Sequence, residues 1–123
     1  MAERYSSFQV GGRMWFLQRV TAAFLIGVLA FHFFQLHFLE HAADIDFVGT
    51  QARMQQPFYF ATMVLFLITA TFHGVNGVYN ALINQGLAGR GRIAVKWILI
   101  LASLGLIVQG VRVAMVMAGV HVG

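Results

Sequence analysis

Five histidines stand out in a chain otherwise poor in polar side chains: His32, His37, His41, His73 and His121. Three of them fall in "FHFFQLHFLEHAAD", residues 31–44, and a fourth in "TATFHGVNGVYNALIN", residues 69–84. Neutral imidazole is a metal ligand, and in apolar surroundings the metal it most often meets is haem iron. The plainer reading is a hydrogen bond between helices, to Ser, Thr or backbone. Arg112, in "GLIVQGVRVAMVMAG", is the other isolated polar group. It either snorkels outward or pairs with a buried carboxylate, of which a haem propionate is one.

The elements that must carry these residues follow from composition. Of 123 residues, 59% are hydrophobic and only 10% charged, with one Pro and no Cys. That charged fraction is well below the ~25% usual in soluble domains and could not cover a soluble surface. Without cysteine there is no disulfide framework, no thiolate zinc site and no cysteine-bound iron–sulfur cluster. The net charge of +4 is not gathered into a patch with interleaved aromatics, so nucleic acid is not an expected partner. The length is that of a single domain, residues 1–123. An all-α integral membrane protein is expected.

Three apolar runs each reach the ~20 residues needed to cross a bilayer. They cover about 14–38, 57–83 and 95–117. Pro57 suits the first turn of the second span, where its missing N–H is not needed. The segment "NQGLAGRGR" reads as a tight solvated turn before the third. The first span is too long for the apolar core of a cleavable leader and is expected to act as its own insertion signal. Arg4, Arg13, Arg19, Arg90, Arg92 and Lys96 fall on one side of this three-span arrangement; the other side has Glu40, Asp44 and Asp46 against Arg53. The positive-inside rule puts the N-terminus in the cytoplasm and the C-terminus outside.

Depth then separates the histidines. At ~1.5 Å per helical residue, His32 lies roughly 27 Å along the first span, and His73 roughly 16 Å from the cytoplasmic end of the second. His37 falls at the outer rim, and His41 and His121 in interfacial or aqueous segments. The two deep imidazoles thus differ by roughly 11 Å in height, too far for one haem to bind both. Two haems would each need a further ligand from another chain. Around His73 the face Thr69, Ala70, Asn76/Gly77 and Asn80 is small enough to make a shelf for a porphyrin, or to let helices pack closely.

"WFLQRVTAAFLIGVLAFH", ending at His32, and "FHGVNGVYNALINQGL", starting at Phe72, resemble the matching helices of succinate dehydrogenase and fumarate reductase membrane anchors. The pattern is Gln-Arg-x-Thr, a His thirteen residues after that Arg, then Phe-His-x-x-Asn-Gly in the next span. It is closest to the second half of the two-haem cytochrome b anchor. It also resembles the small anchor polypeptide of enzymes whose anchor is split into two chains. The likeness covers nearly all of residues 12–119. It implies His32 as an axial ligand of the distal haem b and His73 as one of the proximal haem b. The opposing ligands would come from the companion anchor polypeptide, and a flavoprotein and an iron–sulfur subunit would dock on the cytoplasmic face. Electrons from succinate would pass to membrane quinone, with no dicarboxylate active site on this chain.

One departure bears on the quinone. In single-haem anchors an Asp-Tyr pair follows the haem histidine by eleven and twelve positions; here those positions hold Asn84 and Gln85. A ubiquinone site of that design is thereby disfavoured and menaquinone favoured. Arg19 or Gln85 at the cytoplasmic end, and Arg112 at the outer end, are the candidates near quinone or propionate. Two readings of another class stay open on the residues alone: a haem-free structural or quinone-holding anchor, and a small homo-oligomeric transporter.

Overall fold

The computed structural model describes residues 10–121. Arg4, one of the cations behind the expected orientation, lies outside them. Helix α1 spans Val10–Phe34 and runs on through a π-helical turn, Gln35–Leu39. A 3₁₀ turn, Ala42–Asp44, and a short helix α2, Phe47–Met54, fill the first connection. Helices α3, Pro57–Asn84, and α4, Gly89–Met117, complete the chain. Three segments are long and apolar enough to cross a membrane: Gly11–Leu39, Pro57–Asn84 and Gly89–Met117.

The three expected spans are present, and helix extends beyond two of them. The first helix begins before residue 14, and the third begins at Gly89 rather than 95. Hydropathy marks what can lie in lipid, whereas backbone hydrogen bonding continues into water, so helices outrun their apolar cores. The turn read from "NQGLAGRGR" accordingly shrinks to residues 85–88. It is closed by a Schellman arrangement: Gly86 adopts φ +97°, its N–H donates to Ile83 O, and Leu87 N–H donates to Leu82 O. The same device ends α4, with Gly119 at φ +86° donating to Val116 O and Val120 to Met115 O. Pro57 occupies the first turn of α3 as expected.

Helix α2 lies in a connection whose sequence reads as polar and weakly amphipathic. Asp46 caps it, its Oδ1 accepting from Gly49 N at 2.7 Å. Arg53 on α2 is buried; it pairs with Glu40 at 3.4 Å and donates to Thr50 Oγ1 at 3.0 Å. That pair ties the end of the first span to α2, which packs against α3 and α4. Arg53, Met54 and Tyr59 are buried here, at the only place where the chain forms a conventional core among the described residues.

Elsewhere the packing is open. Helix α3 lies between α1 and α4, whose backbones do not approach each other among the described residues. Large apolar side chains stand outward along the spans, Ile26 being 71% and Leu101 65% exposed. Helices apolar on all faces suit lipid or partner helices rather than water. The α3–α4 crossing is close at Gly110, where an added Cβ would lie 2.5 Å from Leu67 Cδ2. Small residues at such crossings let membrane helices approach. Hydroxyls within the spans turn back to the preceding helical turn, as in Thr71 to Leu67 O and Ser103 to Leu99 O.

Candidate functional site

His73 is held between α1 and α3 by a compact polar cluster. Its Nδ1 lies 3.0 Å from Thr21 Oγ1. The Thr21 hydroxyl is itself 2.8 Å from Leu17 O, an acceptor one helical turn back. In the tautomer with the proton on Nδ1, the Thr21 oxygen accepts from His73 Nδ1–H while its own proton goes to Leu17 O. That leaves Nε2 unprotonated, the state a metal ligand requires. One turn away, Gln18 Nε2 donates to His73 O at 3.1 Å, and Gln18 Oε1 accepts from Asn76 Nδ2 at 2.8 Å.

The small-residue shelf divides. Gly77 faces Gln18, and a Cβ there would come within 3.4 Å of Gln18 Nε2, so at this point small size serves helix packing. Gly74, beside His73, has nothing within 4 Å, and the same holds for Gly27 on α1. In the sequence, Gln18 and Thr21 stand out only as parts of a motif. Their spacing of three places both on one helical face, and that is the available signal.

His32 lies in a cleft of about 30 Å³ lined by Val28, Leu29, Met63 and Phe66. That volume holds about one water, so this chain provides one wall of any larger site. Its Nδ1 is buried without a hydrogen-bond partner. The other histidines stand apart from both. His37 stacks on Phe33 at 4.0 Å between ring centroids and its Nδ1–H donates to Phe33 O. His41 is exposed with φ +55°, and His121 is exposed.

The helices set these groups at distinct heights. Because α1 and α3 run antiparallel, Thr21 stands level with His73 and His32 stands near Met63 and Phe66. From Thr21 to His32 is a rise of about 16 Å at 1.5 Å per residue, larger than hydropathy alone indicates. The contact of Gly110 with Leu67 brings Arg112 to the level of His32, on a helix whose backbone does not approach α1. Arg112 is exposed and has no hydrogen-bond or ion-pair partner among the described residues. Arg19 lies over the Trp15 ring at 5.2 Å, and Gln85 is exposed at the end of α3. The fold thus joins His73 to Thr21, Gln18 and Asn76, and leaves Arg19, Gln85 and Arg112 as separate surface positions.

A family model described as the succinate dehydrogenase/fumarate reductase transmembrane subunit matches residues 2–108. The chain belongs to this family. It is a multi-pass integral membrane subunit of an oxidoreductase complex, and membership implies soluble subunits associated with it. No curated protein and no solved structure matches it. The matched stretch contains both deep histidines of this anchor subunit, His32 and His73, and ends before Arg112.

Proposed function

We propose that this anchor subunit binds haem b and passes electrons from an iron–sulfur subunit to membrane quinone. The observation that carries the reading is the setting of His73: Thr21 Oγ1 lies 3.0 Å from Nδ1 with Leu17 O to take its own proton, which suits the tautomer whose Nε2 keeps its lone pair for iron. Bound haem supplies one-electron redox chemistry that no side chain here can provide. His73 would hold the proximal haem and His32 the distal one, each with an opposing ligand from the companion anchor polypeptide. The rise of about 16 Å between them fits two sites rather than one. His32 has no orienting hydrogen bond within this chain, so its site depends more on the partner.

The protein's own contribution is placement. It orients imidazole and surrounds the site with apolar helices. The cationic end of the bundle, with Arg13, Arg19, Arg90, Arg92 and Lys96, faces the cytoplasm in this reading, where flavoprotein and iron–sulfur subunits dock. The C-terminus is then outside. Arg19 and Gln85 are placed near quinone on the cytoplasmic side, Arg112 near propionate or quinone on the outer side, and menaquinone is the favoured quinone.

Haem b per flavin in the purified complex tests this. His73→Ala should lose one haem while the complex stays assembled in the membrane. Retention of the full haem b content by that variant would refute His73 as a ligand, and absence of haem from the wild-type complex would leave a structural anchor.

A further inference from the structure

We infer that Thr21 is a positioning residue that sets the redox potential of the group bound at His73, by fixing which imidazole nitrogen carries the proton. The inference rests on the haem-ligand reading of His73 and adds to it a residue on a different helix. Three observations carry it. The Thr21 hydroxyl has Leu17 O at 2.8 Å and Gln18 O at 3.1 Å to take its own proton, so its oxygen is available to accept from Nδ1–H, the nitrogen that carries the proton when Nε2 binds iron. The distance to His73 Nδ1 is 3.0 Å. The helix carrying Thr21 cannot drift from α3, because the Gln18 carboxamide grips both His73 O and Asn76 Nδ2.

The physical consequence follows from ligand basicity. A hydrogen bond from Nδ1–H to an acceptor pushes electron density toward Nε2 and makes the imidazole a stronger donor. A stronger donor favours the more positive oxidation state of the iron. Thr21 therefore holds the proximal potential down, and does so with a neutral hydroxyl, a weaker acceptor than the carboxylates that often back metal-bound histidine. His32, whose Nδ1 has no partner, lacks this bias within the chain. Two chemically similar imidazoles are thus made unequal by one hydroxyl.

The experiment uses the purified complex. Thr21→Val removes the acceptor with little change of shape, and Thr21→Ser restores it. Potentiometric titration of haem b should show the component that His73→Ala removes raised in potential by Thr21→Val, with a tenfold change in its ferric-to-ferrous ratio corresponding to about 59 mV. The ferric low-spin electron paramagnetic resonance signal, which reports ring orientation, should shift with it, and Thr21→Ser should return both toward wild type. If Thr21→Val instead loses that haem while Thr21→Ser keeps it, the positioning role stands, read through affinity. Unchanged potential and resonance signal at full haem content would overturn it. Full haem content in His73→Ala would overturn the ligand assignment beneath it, a separately visible failure.

Discussion

Removing the Gln18 carboxamide should loosen α1 from α3 by an amount set by two hydrogen bonds. Gln18→Ala deletes the 3.1 Å bond to His73 O and the 2.8 Å bond from Asn76 Nδ2. Interhelical hydrogen bonds within bilayers average about 0.6 kcal/mol and reach about 1.7. Two of them predict a loss of about 1–3 kcal/mol. Asn76→Ala deletes only the second bond. The Gln18→Ala/Asn76→Ala double variant should therefore be less destabilised than the sum of the singles, by a coupling of about 0.6–1.7 kcal/mol. At 1.4 kcal/mol per decade this is a factor of about 3–16 in an equilibrium constant. The assay is SDS titration of the detergent-solubilised complex, with helix content followed by circular dichroism for all four members of the cycle. Asn84, exposed at the end of α3, provides the control: Gln18→Ala and Asn84→Ala should add within about 0.3–0.5 kcal/mol. Coupling to Asn76 no larger than coupling to Asn84 would refute the bracket and the alignment of α1 drawn from it.

Two further outcomes concern the packing. Glu40→Gln leaves Arg53 buried without its partner; because the Glu40 side chain is 42% exposed the loss should be about 1 kcal/mol, well short of a fully buried pair, and visible as faster hydrogen exchange in α2. Equal exchange in variant and wild type would show that the pair does not hold α2. Gly110→Leu drives a side chain into Leu67 at the α3–α4 crossing and should cost about 1–3 kcal/mol in the same SDS titration, with Gly110→Ala less affected. A neutral Gly110→Leu would mean the crossing is looser than the structure shows.

Much of the architecture was legible because lipid imposes a coarse rule. A segment in hydrocarbon must satisfy its backbone internally and present apolar side chains, so three apolar runs translate directly into three helices. Family membership was legible for a related reason: two histidines with Gln18, Arg19, Thr21, Asn76 and Gly77 at set intervals are rare among apolar residues. Helix α2 was not, because its start depends on one Asp46 cap and its burial on an Arg53–Glu40 pair whose partners belong to different elements.

What the sequence by itself determined, then, was the solvent and the number of crossings, since these depend on local composition and on the length of each apolar run. Only the tertiary structure decided that Asn76 and Gly77 face Gln18 while Gly74 stays open, and that Thr21 lies against Nδ1 of His73. It alone put Arg112 on a helix whose backbone does not approach α1. The rotation and register of one helix against another are sums of many small contacts between residues far apart in the chain. No single stretch of sequence carries them.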